Sequence, residues 1–292
     1  MARRVNFDHT RQGSAPREPI TRNTRITSAA NPQVKAIRAL RDRKERDRTG
    51  LFFVEGIRAV AAVLEANLSV HQLLVAPDLL ESDFARQLVS TARERRAPTV
   101  EVSTSVFESL SRRDGPQGLA LVAHQRWLDL SSVEANPSSL LVALHEPQDP
   151  GNLGSVLRTC DAVGAAGLIL LGPSADPYDP SALRASTGAA FTIPLARSAW
   201  PDFFAWLRRE AVHLVGATGS VADAPTSYRA ATYPRPLALL MGSEREGLSP
   251  HQIAACDQLV HIPMRGTVDS LNLAVATSLV LYEIAERSHT SS

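Results

Sequence analysis

The sequence predicts an α/β protein made of two consecutive units, the second a parallel sheet with helices on both faces. Three observations carry this. The chain has 292 residues, which suits two domains at roughly 100–200 residues each. Short apolar runs alternate with helical patterns twice, first from Leu51 to His124 and again from Leu140 onward. In the second stretch the apolar runs are unbroken and bounded by glycine and proline, the pattern of strands covered on both sides.

Taken in order, residues 1–25 lack apolar periodicity and hold six arginines against Asp8 and Glu18, so they read as a disordered basic arm. Asn31 is a good helix cap with Pro32 at the first helical position, and Val34, Ile37 and Leu40 recur on one face. Beyond Leu40 this helix is nearly all charged. Strands are expected at Leu51–Val54, Val70–Ala76, Val100–Val102 and Leu119–Val122, with helices at Ile57–Leu64, Asp83–Arg95 and Ser105–Leu110. Residues 26–125 thus form the smaller unit. It has no glycine-rich phosphate loop and no paired nucleophile and base, which suits a binding platform.

Residues 126–138, with Asn136-Pro137-Ser138, read as a linker. The larger unit, 139–292, has expected strands at Leu140–Leu144, Leu168–Leu171, Phe191–Pro194, His213–Ala217, Leu237–Met241 and Leu259–Ile262. Its expected helices are Asn152–Val163, Pro180–Gly188, Pro201–Ala211, Pro250–Ala255 and Ser270–Glu283. The last is apolar on nearly every side, so it belongs in a core or a subunit interface.

Composition narrows the function classes. With 44% hydrophobic and 21% charged residues the chain is an ordinary globular protein. No apolar run reaches the ~18 residues of a membrane helix, and Met1-Ala2-Arg3-Arg4 is not followed by a signal-like apolar segment. No membrane partner and a cytoplasmic location are therefore expected. Cys160 and Cys256 sit in apolar segments and support neither a disulfide framework nor a metal site. The net charge of +1 hides a basic front end, continued by Lys35, Arg38, Arg41, Arg43, Lys44, Arg46 and Arg48. That asymmetry suits a polyanionic partner such as RNA, and equally a solvated arm and helix face.

In parallel sheets the ligand crevice lies beyond the carboxyl ends of the strands, and three loops there are richer than connections need to be. The first runs Gln148-Asp149-Pro150-Gly151-Asn152 and leads to Arg158. Asn152 is placed to cap a helix, and Arg158 leaves from its exposed side. The second is Met241-Gly242-Ser243-Glu244-Arg245-Glu246-Gly247, where two glycines around an acid permit close backbone approach to a ligand. The dinucleotide fingerprint is absent. The third runs from Ile262-Pro263-Met264-Arg265-Gly266 through Asp269-Ser270-Leu271-Asn272. Read singly, each is also what a cap, a turn or a first-turn residue looks like.

Together these three segments resemble the motifs of the SpoU (TrmH-type) branch of the SPOUT methyltransferases, RNA ribose 2′-O-methyltransferases. Ile26-Thr27-Ser28, Asn31-Pro32, Phe53-Val54-Glu55-Gly56 and Pro116-Gln117-Gly118 resemble the family's ribosomal-protein-like substrate-binding domain, and Arg184-Ala185-Ser186-Thr187-Gly188-Ala189 is typical of its catalytic domain. The resemblance implies a C-terminal SPOUT domain with a deep trefoil knot, an exception to unknotted topology. It implies a homodimer and S-adenosylmethionine as donor. The donor would be held around Leu240, Met241, Gly242, Ile262, Met264, Ser270 and Leu271, with Leu240, Ile262 and Leu271 lining the adenine pocket.

The resemblance also makes Arg158, Asn152, Glu244, Ser270 and Asn272 the catalytic set. Arg158, too basic to act as a general base, would orient the hydroxyl and its 3′ phosphate. Asn152 would position substrate, Glu244 would hold Arg158 or Asn152, and Ser270 and Asn272 would complete the pocket. Ribosomal RNA is the expected substrate ahead of transfer RNA. A non-catalytic RNA-binding or ribosome-assembly protein could keep the fold, but would be marked by loss of Asn152, Arg158 or Asn272, and all are present. Two positions depart from the family pattern: His145 replaces a common aspartate, and Arg245 a small residue.

Overall fold

The two alternations of strands and helices form two separate sheets. A computed structural model describes residues 25–112, 114–219 and 225–290. The basic arm expected at 1–25 lies outside these residues except for Arg25, which pairs with Asp78.

The first sheet contains β1 (Leu51–Glu55), β2 (Val70–Val75), β3 (Thr99–Glu101) and β4 (Leu119–His124), in the order β1-β4-β2-β3. β4 is antiparallel to both neighbours, and β2 and β3 are parallel. One face packs on α1 (Pro32–Ala39) and α5 (Thr104–Leu110). The other packs on α3 (Ile57–Glu65) and α4 (Asp83–Glu94), and its cluster continues into the second unit. Asn31 caps α1 by accepting from the Gln33 amide at 2.8 Å.

The second sheet is wholly parallel. Its strands are β5 (Leu140–His145), β6 (Gly167–Leu171), β7 (Leu195–Ser198), β8 (His213–Ala217), β9 (Thr226–Ser227), β10 (Leu237–Met241) and β11 (Gln258–His261). They lie in the order β7-β6-β5-β10-β8-β11-β9. Period-two alternation sends Val142, Leu144, Leu239 and Met241 to one face, against α6 (Pro150–Ala162) and α11 (Leu273–Thr290). Leu141, Ala143, Ala238 and Leu240 go to the other, against Phe203, Trp206 and Leu207 of α9 (Trp200–Arg209). Both faces are covered, which is why these strands read as continuous apolar runs. α6 also packs closely on α7 (Pro180–Ser186): a Cβ at Gly154 would overlap the Ala182 carbonyl.

Several elements differ from expectation. The strand expected at Phe191–Pro194 is instead a short helix, α8 (Ala189–Thr192), with β7 beginning at Leu195. Phe191 is pulled into the joint between the sheets, its ring 5.8 Å from that of Phe52. The first helix does not run on through the charged stretch. It ends at Ala39, and a second helix, α2 (Arg43–Thr49), starts after Leu40–Asp42. Asp149 caps α6 by accepting from the Asn152 amide at 2.7 Å, so Asn152 is not the cap. The last helix begins at Leu273 and not at Ser270, because the Asn272 side chain accepts from the Ala274 amide at 2.9 Å. The residues at 126–138 lie along the second sheet: Leu128 bridges to Ala196, and the Trp206 indole donates to the Val133 carbonyl at 2.8 Å.

The break after Leu40 turns one arginine inward. Arg46, 2% exposed, donates from Nε to Asp176 Oδ2 at 2.6 Å and from Nη1 to the Leu40 and Arg41 carbonyls at 2.9 and 2.8 Å. Asp176 belongs to the second unit, so a buried charge pair crosses the joint. Around it Tyr178 hydrogen-bonds both the amide and the carbonyl of Arg126, and its ring lies 4.7 Å from that of Phe52.

Candidate active site

The strand order reverses direction beside β5: the chain winds outward through β6 and β7, then returns to the other side. Loops leaving β5 and β10 therefore meet at one point, with the segment after β11 against them. A cleft of about 880 Å³ opens there.

Its organising group is Glu244. The carboxylate accepts from the amide of Gln148 at 3.1 Å, the amide of Asp149 at 3.5 Å and Asn152 Nδ2 at 3.4 Å. Asn152 Oδ1 in turn accepts from Asn272 Nδ2 at 2.9 Å. One hydrogen-bonded chain, Glu244–Asn152–Asn272, thus ties together the three loops. Asn272 does two things at once, because its own Oδ1 caps α11. The α6 and α11 helices are held further along by a 2.8 Å hydrogen bond between the hydroxyls of Thr159 and Ser278.

The loop carrying Glu244 folds back on itself. Ser243 and Gly247 exchange backbone hydrogen bonds at 3.2 and 3.0 Å, and a Cβ at Gly242 would overlap the Gly247 carbonyl. Only glycine at 242 lets the loop close this tightly. Met241, Gly242, Ile262, Met264, Ser270 and Leu271 all line the cleft, as do Asn152, Glu244 and Asn272.

Two expected residues do not. Leu240 is fully buried on the opposite face of the sheet, since a strand residue next to Met241 must point the other way. Arg158 is exposed on α6 outside the cleft lining, and its guanidinium has no hydrogen-bond or ion-pair partner among the described residues. Glu244 holds Asn152 and not Arg158. The two departures from the family pattern fall at the margin: Arg245 is exposed at the cleft mouth, and His145 ends β5 near Glu146 at 3.9 Å.

The cleft also contains residues that motif reading missed. Thr218, His261 and Asp269 line it. Thr218 follows β8 and His261 ends β11, positions that the rule of carboxyl-end loops marks as candidates. Asp269 adds a third carboxylate to Glu244 and Glu246 in the lining. Among the described residues no cluster of three or more His, Cys, Asp or Glu is arranged to hold a metal ion.

Residues 139–282 match the model of the SpoU rRNA Methylase family, and residues 31–121 match the MRM3-like substrate binding domain. A 23S rRNA (uridine(2479)-2′-O)-methyltransferase of Streptomyces viridochromogenes is 33% identical, over 91% of this chain and 93% of its own. The chain belongs to the SpoU rRNA methylase family. A 23S rRNA (guanosine(2553)-2′-O)-methyltransferase of Bacillus subtilis is 29% identical over 89% of this chain and 98% of that one. Among solved structures, an AdoMet-bound rRNA methyltransferase from Sinorhizobium meliloti is similar at a TM-score of 0.82, with 36% identity over 91% of this chain and 98% of that one. The SpoU methyltransferase AviRb from S. viridochromogenes, in complex with AdoMet, is similar at 0.78, with 32% identity over 89% and 99%. The SpoU fold accounts for the parallel sheet, and the substrate-binding domain for the sheet before it.

Proposed function

We propose that this protein transfers the methyl group of S-adenosylmethionine to a ribose 2′-hydroxyl of 23S ribosomal RNA. The observation that carries the proposal is the Glu244–Asn152–Asn272 chain, which joins three separate loops at the mouth of one cleft. Polar side chains brought together from positions 120 and 92 residues apart, on a frame capped and clamped by the same groups, suit a preorganised site.

The cleft fits the donor. Met241, Ile262, Leu271 and Leu273 offer apolar walls for a purine, while Glu244 and Asp269 offer negative charge to a cationic ligand. The tight turn at Gly242 leaves backbone groups near the ligand. When bound, S-adenosylmethionine supplies a methyl group already activated by positive sulfur. The chain's own residues then have to align a hydroxyl and relieve it of a proton. Asn152, its Oδ1 engaged by Asn272 and its Nδ2 by Glu244, has a fixed orientation for holding the sugar. Arg158, exposed and unpaired, is available to bind the phosphate 3′ to that hydroxyl. A guanidinium there stabilises the developing oxyanion without acting as a base. Ser270 stands beside Asn272 at the cleft edge.

The division into an RNA-binding unit at 26–125, a linker at 126–138 and a catalytic unit at 139–292 belongs to the same reading, as does a trefoil knot formed by the chain after β11. So does a homodimer. Val275, Leu279 and Tyr282 form one stripe on α11, exposed by 49%, 40% and 50%, and a second copy would cover it. No helix among the described residues is long and apolar enough to cross a membrane, and work on ribosomal RNA would be done in the cytoplasm.

The test uses purified protein, methyl-labelled S-adenosylmethionine and separate 23S ribosomal RNA transcripts and transfer RNA. Label is expected on ribose in the 23S transcript. Label confined to bases, or to transfer RNA, would overturn the assignment.

A further inference from the structure

A second cavity, about 600 Å³, lies at the joint between the two sheets, built from β1, α3, the end of α5 and Arg112 on one side and from α7 and Gly188 on the other. Its size is within the roughly 300–1,000 Å³ of pockets that bury a small organic group. The floor is apolar, with Phe53, Leu110 and Leu183. The rim is basic: Arg41, Arg58, Arg112 and Arg184 face it, against Glu55 as the sole carboxylate.

That carboxylate is already engaged, since Glu55 accepts from the Ser111 hydroxyl and from the Arg112 amide at 3.2 Å. None of the four arginines forms an ion pair among the described residues. Arg43 and Arg46, at the same joint, are by contrast tied to Asp47 and to Asp176 and Asp179. Arg41 is pinned by its bonds to the Ser109 and Leu110 carbonyls at 3.3 and 2.9 Å, and burial, with Arg112 and Arg38 nearby, holds its guanidinium below the ordinary range. Four arginines against one carboxylate leave the rim net positive, which suits an anion. The apolar floor calls for a flat, uncharged group attached to it.

We propose that this interdomain cavity receives one unstacked nucleotide of the substrate RNA, its base on the Phe53–Leu110–Leu183 floor and its phosphates on the rim arginines. Single-stranded RNA is bound in this way elsewhere: bases stack on apolar or aromatic surface while cations follow the backbone. The assignment rests on RNA being the substrate, and it gives Arg184, which opens the Arg184–Ala189 segment, a role outside the methyl-donor cleft. Both sheets contribute walls, so an RNA seated here would also register the first unit against the second.

The test measures affinity of the full-length protein for a 23S ribosomal RNA transcript over a range of salt, with donor affinity measured separately. Arg58→Ala/Arg184→Ala should weaken RNA binding at least tenfold and reduce the slope of log K against log salt by about 1.4, or about 0.7 for each single-strand phosphate that is no longer neutralised. Leu183→Trp, which fills the floor and leaves the charges, should weaken binding with the slope unchanged. Donor affinity should stay within twofold in both. RNA affinity and slope unaltered in the double variant would overturn the proposal, as would a Leu183→Trp protein that binds RNA normally. Wild-type protein that binds through these arginines yet transfers no methyl group would refute the proposed reaction and leave the cavity assignment supported.

Discussion

Arg46→Ala should be among the most damaging single substitutions outside the cleft. The wild-type side chain is 2% exposed and so is that of Asp176, its partner at 2.6 Å. Removing the guanidinium leaves Asp176 as a buried carboxylate without its counter-charge, which costs about 3–5 kcal/mol. The Leu40 and Arg41 carbonyls lose their donors as well, at 2.9 and 2.8 Å in the intact protein. Each such loss costs about 1–3 kcal/mol when the group stays dry, though water entering the vacated space offsets part of it. Asp179, 29% exposed, can turn to solvent and adds little. A net loss of about 4 kcal/mol follows, and at about 2–4 °C per kcal/mol for a chain of this size the melting temperature should fall by roughly 10 °C. Differential scanning calorimetry reads this directly. The pair itself is not required for stability if its space is filled: Arg46→Met with Asp176→Leu should recover most of the loss, because an apolar replacement removes both charges together. A fall of less than about 3 °C in Arg46→Ala would refute the reasoning, and so would a double variant no better than the single one.

Further substitutions separate the roles assigned within the cleft. Gly242→Ala should force the Ser243–Gly247 turn open and weaken S-adenosylmethionine binding more than tenfold by calorimetry, because its Cβ overlaps the Gly247 carbonyl; unchanged affinity would mean that the turn does not shape the donor site. Asn272→Asp keeps an oxygen to cap α11 but loses the donor to Asn152, so it should melt within about 2 °C of wild type while methyl transfer collapses; full activity would remove the Asn152–Asn272 bond from the account. Arg158→Ala should abolish methyl transfer with donor affinity within twofold, since Arg158 lies outside the cleft lining; donor affinity lost with activity would contradict its placement. Burial pushes the thiols of Cys160 and Cys256 up to about 12. At pH 8 their thiolate fractions should be about a thousandfold or more below that of a free cysteine of pKa about 8.5, and a thiol-reactive dye should leave the fully buried Cys160 unlabelled until the protein unfolds.

Much of this architecture was legible because the relevant signals are local. Continuous apolar runs such as Leu140–Leu144 and Leu237–Met241, short and bounded by turn residues, read as strands covered on both sides, and the glycines of the second loop mark a tight approach. What escaped depended on partners far away in sequence. Phe191-Thr192-Ile193 looks like a strand by its side chains, but with Phe191 packed on Phe52 across the joint and a left-handed Gly188 before it, the chain makes a short helix that ends at Thr192. Arg46 sits in a run of charges that any sequence reading assigns to solvent; its burial is decided by Asp176, 130 residues on. Ser270 and Asn272 are both capping residues by type, and only the position of the Ala274 amide selects Asn272. The orientation of Leu240 follows from period two once the cleft is known to lie on the Met241 side, a fact that tertiary structure alone supplies.

The central claim is that this chain methylates a ribose of 23S ribosomal RNA, and the most direct measurement is a map of 2′-O-methyl groups in RNA from cells with and without its gene. Ribose methylation protects the adjoining phosphodiester from alkali, so each modified nucleotide appears as a gap in a hydrolysis ladder. Loss of a gap in 23S ribosomal RNA, restored by the wild-type gene and not by Arg158→Ala, is the predicted result. Ladders that are identical in the two strains, or a gap lost only from transfer RNA, would contradict it.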